Sequence, residues 1–350
     1  MKRKFSRKAL VALFAVSALA LSACSSGDDA SGDVKVSLIL KNQTNPFFVS
    51  MVKGAEAKAA ELGIDLTISS GKEEGDDAAQ IAAIENAISA KHAGIVITVM
   101  STNVNAAITK AREAGLLVIA LDTPTDPADI ADITFATDNR EAGRLIGQWG
   151  AKKLGGQKAV IALLNIFDDR VSPVDYLRDN GFLEGMGIPV NDPNKMADEA
   201  KTGKYSGGDY EIVGNVATGA NEDGGRSGME KLLARNPNIN IVYTINEPTA
   251  IGACAALKAA KKTAIVVSVD GGLPGIEAVK SGCIGATSQQ YPLRMADIGL
   301  QAIYDLVKSG KTPQVTPGKD FFDTGVTLIT DDPQDGVPSE STQYGIDNAW

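Results

Sequence analysis

Two aspartates stand where a carboxylate could bind a ligand. Residues 117–121 (Leu-Val-Ile-Ala-Leu) lead into Asp122, and residues 265–269 (Ile-Val-Val-Ser-Val) lead into Asp270. Both runs are apolar enough to be strands of a parallel sheet, and ligands of open α/β folds bind at the carboxyl ends of such strands. One such aspartate alone would more simply cap the following helix or turn. The recurrence of the pattern favours a pair of ligand-binding carboxylates.

Another group of polar and aromatic residues follows the first apolar run. Residues 41–48 read Lys-Asn-Gln-Thr-Asn-Pro-Phe-Phe, which places Lys41, Asn45, Phe47 and Phe48 where a strand passes into a helix. The C–H face of a sugar packs on aromatic rings, and its hydroxyls both donate and accept hydrogen bonds. Adjacent positions cannot both face inward on one helix, so at least one phenylalanine is expected to face a ligand cleft. These residue types predict a sugar ligand.

An enzyme is the competing hypothesis, with Asp122 and Asp270 as the two carboxyl groups of a glycoside hydrolase. The single histidine, His92, lies at a predicted helix end, where a solvated cap is the simpler role. No Gly-x-Ser-x-Gly motif accompanies it, and no Gly-x-Gly-x-x-Gly motif follows the first strand. The sequence also has no metal-ligand spacing. A binding protein without catalytic residues, cofactor or metal is therefore predicted.

These candidate residues need a scaffold that brings several strand ends together. Short apolar runs alternate with longer amphipathic stretches, beginning with residues 34–40 and 47–62. The unit at residues 94–122 is echoed at residues 241–270, since each contains a strand, a helix and a second strand that ends in aspartate. The alternation predicts an α/β fold of two similar, doubly wound lobes, each with a parallel sheet covered on both faces.

The first residues predict export. Positive charges precede the apolar run 9–20, at Lys2, Arg3, Lys4, Arg7 and Lys8. That run is short for a membrane span, and the small residues before Cys24 resemble the bacterial lipobox. Residues 1–23 are thus expected to be a lipoprotein signal peptide, Cys24 the lipidation site, and the Ser/Gly/Asp-rich residues 24–33 a flexible tether. The protein is expected to lie outside the cytoplasmic membrane, held there by its lipid.

The net charge of the chain without its leader excludes one class of ligand. Removing the five basic residues of the leader from the total of 34 leaves 29 against 43 acidic residues, a net charge of −14. Such an excess excludes nucleic acid as a ligand.

After lipidation, Cys254 and Cys283 remain, and either a disulfide or two buried free thiols would suit an exported chain.

Five motifs taken in order resemble the periplasmic sugar-binding proteins of the ribose type, over nearly all of the chain after the leader. The motifs are residues 45–48 (Asn-Pro-Phe-Phe), 118–122, 178–182, 266–271 and 286–292. The resemblance implies the type I fold, with two lobes joined by a three-strand hinge, and delivery of the ligand to an ABC-type permease. It implies a monosaccharide contacted by seven residues: Asn45, Phe47, Phe48, Asp122, Asn246, Asp270 and Gln290.

The resemblance also implies where the chain crosses between the lobes. Crossovers are expected near residues 137–138, 290 and 322, which gives an N-terminal lobe of residues 34–137 plus 291–322 and a C-terminal lobe of residues 138–290 plus 323–350. Asp138 is expected to cap the helix that follows the first crossover. The protein is expected to act as a monomer, and a role as a sugar sensor for a signalling receptor remains an alternative.

The sequence departs from the ribose pattern at positions that affect which sugar is expected as the ligand. Thr98 and Thr123 stand where the resemblance implies asparagine and arginine, which weakens ribose as the ligand. The ribose pattern has a second arginine in the site, which aligns with Tyr176 here. Its role could be filled by Tyr176, Arg178 or Arg170. The sequences around Asp122, Asn246 and Gln290 are similar to the fructose-binding branch, which makes fructose the leading ligand.

Overall fold

A computed structural model describes residues 34–350, which form two parallel-sheet lobes. The predicted leader, the lipidation site at Cys24 and the tether lie outside these residues. Within residues 34–350, no helix combines the length and the apolar character that a membrane span requires.

The N-terminal lobe contains a six-stranded sheet in the order β2-β1-β3-β4-β5-β12, with every neighbouring pair parallel. Its strands are β1 (Val34–Leu40), β2 (Ile64–Ser70), β3 (Gly94–Ile97), β4 (Leu117–Leu121), β5 (Ile133–Ala136) and β12 (Phe322–Asp323). Its helices are α1 (Pro46–Leu62), α2 (Asp77–Ser89), α3 (Asn105–Glu113) and α9 (Pro292–Ser309). Separate apolar clusters cover the two faces of the sheet, as expected when helices pack on both sides.

The C-terminal lobe repeats this plan in a seven-stranded sheet ordered β7-β8-β6-β9-β10-β11-β13. Its strands are β6 (Ala159–Asn165), β7 (Thr202–Tyr205), β8 (Gly208–Ala217), β9 (Ile241–Thr244), β10 (Ile265–Asp270), β11 (Ala286–Gln289) and β13 (Thr327–Ile329). Its helices are α4 (Asn139–Lys153), α5 (Pro173–Met186), α6 (Glu222–Arg235), α7 (Glu247–Ala259), α8 (Leu273–Lys280) and α10 (Thr342–Asp347). β7 and β13 are antiparallel to their neighbours. The predicted α/β architecture of two similar lobes is confirmed.

The chain crosses between the lobes three times, after β5, after β11 and after β12. The third crossover comes later than the sequence placed it, because Phe322 and Asp323 both pair with β5. Asp138 accepts a hydrogen bond from the Glu141 amide at 2.9 Å and so caps α4, and its other carboxylate oxygen lies 2.8 Å from Lys319 Nζ. Two crossing segments are thereby tied to each other at the hinge.

Helices α4 and α5 touch through glycines. An added Cβ at Gly143 would overlap the carbonyl oxygen of Arg178, and one at Gly147 would overlap that of Phe182. On the facing helix, a Cβ at Gly181 would overlap the carbonyl oxygen of Arg140. Side chains here would force the two backbones apart, so the glycines set the position of α5.

The thiols left open by the sequence form a disulfide. Cys254 of α7 is bonded to Cys283 in the segment before β11, with their Cα atoms 5.9 Å apart. The cross-link spans a sequence separation of 29 and joins two parts of the same apolar cluster in the C-terminal lobe.

Reduction of this disulfide is expected to lower the free energy of unfolding by about 3 kcal/mol, because an open loop of this length gains conformational freedom in the unfolded chain. Urea unfolding with and without a thiol reductant measures the change. The double variant Cys254→Ser, Cys283→Ser is the control, since its unfolding should not respond to the reductant. Identical unfolding midpoints of the native protein in both conditions would contradict a stabilising role.

Candidate functional site

A small polar cavity lies between the lobes, where the carboxyl ends of strands from both sheets meet. Its lining includes eight of the ten residues that the sequence singled out: Lys41, Asn45, Phe48, Asp122, Arg178, Asn246, Asp270 and Gln290. Glu74 and the apolar residues Ile166, Val174, Ala220 and Ile245 complete it. Phe47 and Tyr176 are not among the residues that line it.

Asp122 follows β4 in a backbone conformation that non-glycine residues rarely adopt, with φ at +61°. Its Oδ1 accepts a hydrogen bond from Arg178 Nη2 at 3.1 Å, and its Oδ2 accepts one from the Thr123 hydroxyl at 3.1 Å. The carboxylate therefore points across the cleft and does not cap a helix. Residues held in such conformations cluster at ligand-binding sites.

Arg178 of α5 connects both halves of the cavity. Its guanidinium donates to Asn139 Oδ1 at 2.8 Å, to the Ile245 carbonyl at 3.0 Å, and to Asp122 Oδ1 and Gln290 Oε1 at 3.1 Å each. The Arg178 side chain is only 5% exposed. Among the three candidates for an arginine of the site, Arg178 is the one whose side chain reaches the cavity.

Asp270 is the counterpart of Asp122 in the second sheet, again with a positive φ, at +152°. Its Oδ1 accepts a hydrogen bond from Gln290 Nε2 at 2.9 Å, and its Oδ2 accepts one from the Glu247 amide at 3.3 Å. Burial raises the pKa of Asp270, with Asp122 adding to the rise and Arg178 opposing it. A carboxyl group so enclosed has a strong requirement for hydrogen-bond partners.

Glu247, which the sequence did not single out, supports the turn after Asp270. Its carboxylate accepts hydrogen bonds from the amides of Gly271 (2.8 Å) and Gly272 (3.1 Å) and from the Thr287 hydroxyl (2.8 Å). Burial and the neighbouring Asp270 raise the pKa of Glu247. Asn246 caps α7 through the Thr249 amide and donates to the Ala220 carbonyl at 3.0 Å, so its amide orders the cavity wall.

On the N-terminal lobe, Lys41 and Glu74 form a buried ion pair at the cavity. Lys41 Nζ lies 3.2 Å from Glu74 Oε1, with the two side chains 2% and 6% exposed. Glu74 Oε2 also accepts a hydrogen bond from Asn42 Nδ2 at 3.0 Å. Glu74 belongs to the polar loop between β2 and α2, which the sequence analysis did not single out.

The two adjacent phenylalanines at the start of α1 have different surroundings. Phe48 lines the cavity, whereas Phe47 packs edge-on against Trp350 with ring centroids 5.4 Å apart. Trp350 donates its indole N–H to the Gln290 carbonyl at 3.0 Å, and a Cβ on Gly272 would lie 2.9 Å from its ring. The final residue of the chain thus bridges the two lobes instead of packing within the C-terminal lobe alone.

Tyr176 and Arg170, the other two candidates for the second arginine position, make contacts between the lobes outside the cavity. The Tyr176 hydroxyl donates to Asp126 Oδ2 at 3.2 Å. Arg170 Nη1 donates to the Gly75 carbonyl at 2.7 Å and to Asp77 Oδ2 at 3.1 Å. The lobes therefore touch across the cleft on both sides of the binding residues.

The cavity lined by the predicted residues, here called the inner cavity, has a small volume because the lobes are in contact. Its volume is about 30 Å³, which is room for about two water molecules. A larger cavity of about 700 Å³ adjoins it and shares Asn45, Glu74, Ala220 and Asp270 as walls. The polar groups of the inner cavity are hydrogen-bonded or ion-paired to one another.

The geometry does not support a catalytic role for His92 or a metal site. His92 Nδ1 is hydrogen-bonded to the Ser37 hydroxyl at 2.8 Å, and burial lowers the pKa of this imidazole. Among residues 34–350, no group of three or more histidine, cysteine, aspartate or glutamate side chains is arranged to hold a metal ion.

Comparison with known proteins agrees with this arrangement. Residues 36–312 match the model of the periplasmic binding protein domain. The ribose import binding protein of Haemophilus influenzae is 28% identical over 89% of this chain and 97% of its own length. The D-allose-binding periplasmic protein of Escherichia coli is 26% identical over 84% of this chain and 91% of its own length.

Solved structures give the same result for the fold. An ABC transporter solute-binding protein from Agrobacterium vitis with bound D-fucose superposes with a TM-score of 0.73, at 24% identity, over 90% of this chain and all of that one. Because the family model matches most of the sequence, the resemblance seen in the five motifs is confirmed, and the protein belongs to the periplasmic binding protein domain family.

Proposed function

We propose that the protein captures a monosaccharide, with fructose as the preferred ligand, and delivers it to the permease of an ABC importer. The observation that carries the proposal is the polar cavity to which both lobes contribute, with Asp122 at a strand end of one sheet and Asp270 and Gln290 at strand ends of the other. Carboxylates, an amide and a guanidinium around a phenylalanine match the hydroxyls and C–H face of a sugar. Family membership places the chain outside the cytoplasm, and it is a solute-binding protein rather than an enzyme, as are the relatives named above.

Capture works through exchange of hydrogen-bond partners. Arg178 donates a hydrogen bond to Asp122, and Gln290 donates one to Asp270. A sugar that enters the open cleft offers hydroxyls to both carboxylates at once, and only the closed cleft lets both lobes use them. The closed form then binds the sugar more tightly than the open form, which is the requirement for ligand-driven closure.

Two threonines count against ribose, while the sequences around Asp122, Asn246 and Gln290 favour fructose. Thr98 Oγ1 accepts a hydrogen bond from the Lys41 amide at 3.0 Å, and the Thr123 hydroxyl donates to Asp122. Both threonines are fully buried, and neither lines the cavity, so the groups that the ribose pattern places at these positions have no substitute there. Lys41, the residue after the first strand, instead supplies a cation to the cavity.

The same proposal includes the amino-terminal segment. A lipid on Cys24 would hold the protein at the outer face of the membrane. Radiolabelled palmitate incorporation into the native chain, compared with Cys24→Ser, tests this anchor.

A thermal-shift screen against pentoses, hexoses, ketoses and inositols is expected to give its largest response with fructose. Ligand at about 100 times Kd stabilises the native state by about 2.7 kcal/mol, which corresponds to a rise in Tm of several degrees. A larger response to another sugar would exclude fructose as the preferred ligand and leave sugar capture intact. If no sugar raised the Tm, and calorimetry found no binding, the proposed function would be wrong.

A further inference from the structure

We propose that Glu74 is a specificity-determining residue of the sugar site, where its carboxylate and the Lys41 ammonium together bind a pair of neighbouring oxygens on the sugar. This inference rests on the proposed function. It concerns the loop between β2 and α2, which the motifs of the sequence did not include.

The first support is the unused bonding capacity of a buried cation. An ammonium group carries three N–H donors. In the part of the chain that the structure describes, Glu74 is the ion-pair partner of Lys41 Nζ, and the Lys41 side chain is 2% exposed. Both residues line the inner cavity, so the remaining donors of Lys41 are available to a ligand there.

The second support is the way in which Glu74 is held. One carboxylate oxygen is 3.2 Å from Lys41 Nζ and the other accepts from Asn42 Nδ2 at 3.0 Å. Each carboxylate oxygen can accept more than one hydrogen bond, so both retain capacity for a hydroxyl donor. The pairing with Lys41 fixes the carboxylate in position without saturating it.

The loop is also coupled to closure of the cleft. Arg170 of the C-terminal lobe donates to the carbonyl of Gly75, the residue next to Glu74. The Gly75 amide in turn contacts Met100 Sδ at 3.0 Å, inside the N-terminal lobe. Contact between the lobes therefore fixes the segment that carries Glu74, and the carboxylate is in place when the sugar is enclosed.

A carboxylate beside an ammonium recognises a particular arrangement of sugar oxygens. One hydroxyl donates to Glu74 while a neighbouring hydroxyl or ring oxygen accepts from Lys41. The charged partners make both bonds stronger than neutral ones, and a sugar that lacks the donating hydroxyl leaves the carboxylate short of a partner. The site thereby selects for that hydroxyl.

The test compares Glu74→Gln with Glu73→Gln by calorimetry, with fructose and its monodeoxy derivatives as probes. If fructose does not bind the native protein, the best sugar of the thermal-shift screen and its monodeoxy derivatives replace it. Glu73 is a matched control because it is the adjacent residue, is exposed, and lines the larger cavity but not the inner one. Thermal unfolding of each variant establishes that it is folded.

We expect Glu74→Gln to weaken binding of the parent sugar roughly tenfold or more, and Glu73→Gln to change it by less than about twofold. One monodeoxy derivative should bind the native protein and Glu74→Gln equally, because the interacting hydroxyl is already absent from it. Equal affinity of Glu74→Gln and the native protein for the parent sugar would overturn the inference. A uniform loss across all derivatives would do the same, since it would indicate a purely structural role. Absence of sugar binding by the native protein would instead refute the proposed function, and this inference with it.

Discussion

Replacing Arg178 with methionine is expected to weaken sugar binding by roughly a hundredfold or more, the largest effect of any single change at the site. Methionine retains much of the side-chain length and removes the charge. The variant leaves Asp122 without its guanidinium partner and Gln290 Oε1 without its donor, both in a buried site. Uncompensated burial of a charge is also expected to lower the free energy of unfolding by about 3 kcal/mol. Calorimetry gives the affinity, and urea unfolding gives the stability.

A surface arginine provides the control for that variant. Arg226 on α6 is 58% exposed and pairs with Glu230 one turn away, so Arg226→Met should leave affinity and stability nearly unchanged. Native affinity in a folded Arg178→Met variant would contradict the central place given to Arg178. Loss of stability with native affinity would assign Arg178 to the fold alone.

Gly147→Ala is expected to destabilise the protein by about 3 kcal/mol, although alanine is the better helix former by about 1 kcal/mol. The added methyl would overlap the Phe182 carbonyl oxygen on α5, and a backbone atom cannot move aside as a side chain can. Because α5 carries Arg178, separation of the two helices should also weaken sugar binding. Chemical unfolding and calorimetry measure the two effects.

Gly150→Ala is the matched control on the same helix. There the new methyl would meet only the Cδ1 end of Ile241, at 2.8 Å, and that end of a flexible side chain can turn away. Its effect should be small in comparison. Equal unfolding midpoints for the two alanine variants would show that close contact of α4 and α5 does not limit stability.

Much of the fold follows from local patterns. The apolar runs before Asp122 and Asp270 predict strands β4 and β10 because buried parallel strands have continuous apolar sequence, and their ends fall together at the sheet edge. The sequence did not predict the hairpin of β7 and β8, because these strands have no such apolar sequence. β7 is the exposed edge strand, its neighbour β8 is mostly half-buried, and their sequence lacks a continuous apolar run.

The sequence placed the site residues that follow strands directly, but it left a choice open on helix α5. Tyr176 and Arg178 are two positions apart on a helix and so point about 200° from each other, and the sequence does not say which one faces the cleft. In the structure Arg178 lines the cavity, and Tyr176 contacts Asp126 outside it. Glu74 was missed because polar loops are usually exposed, and its burial depends on Lys41, which is distant in sequence.

The position of Trp350 gives the protein an optical property. The chain has two tryptophans, and Trp149 is 1% exposed within the core of the C-terminal lobe. Trp350 instead packs between Phe47 of one lobe and Gly272 of the other. The emission of an indole shifts with the polarity around it, so separation of the lobes alters the fluorescence of Trp350 and leaves that of Trp149 as a constant background. The fluorescence of the unlabelled protein should therefore report the proposed opening and closing of the lobes.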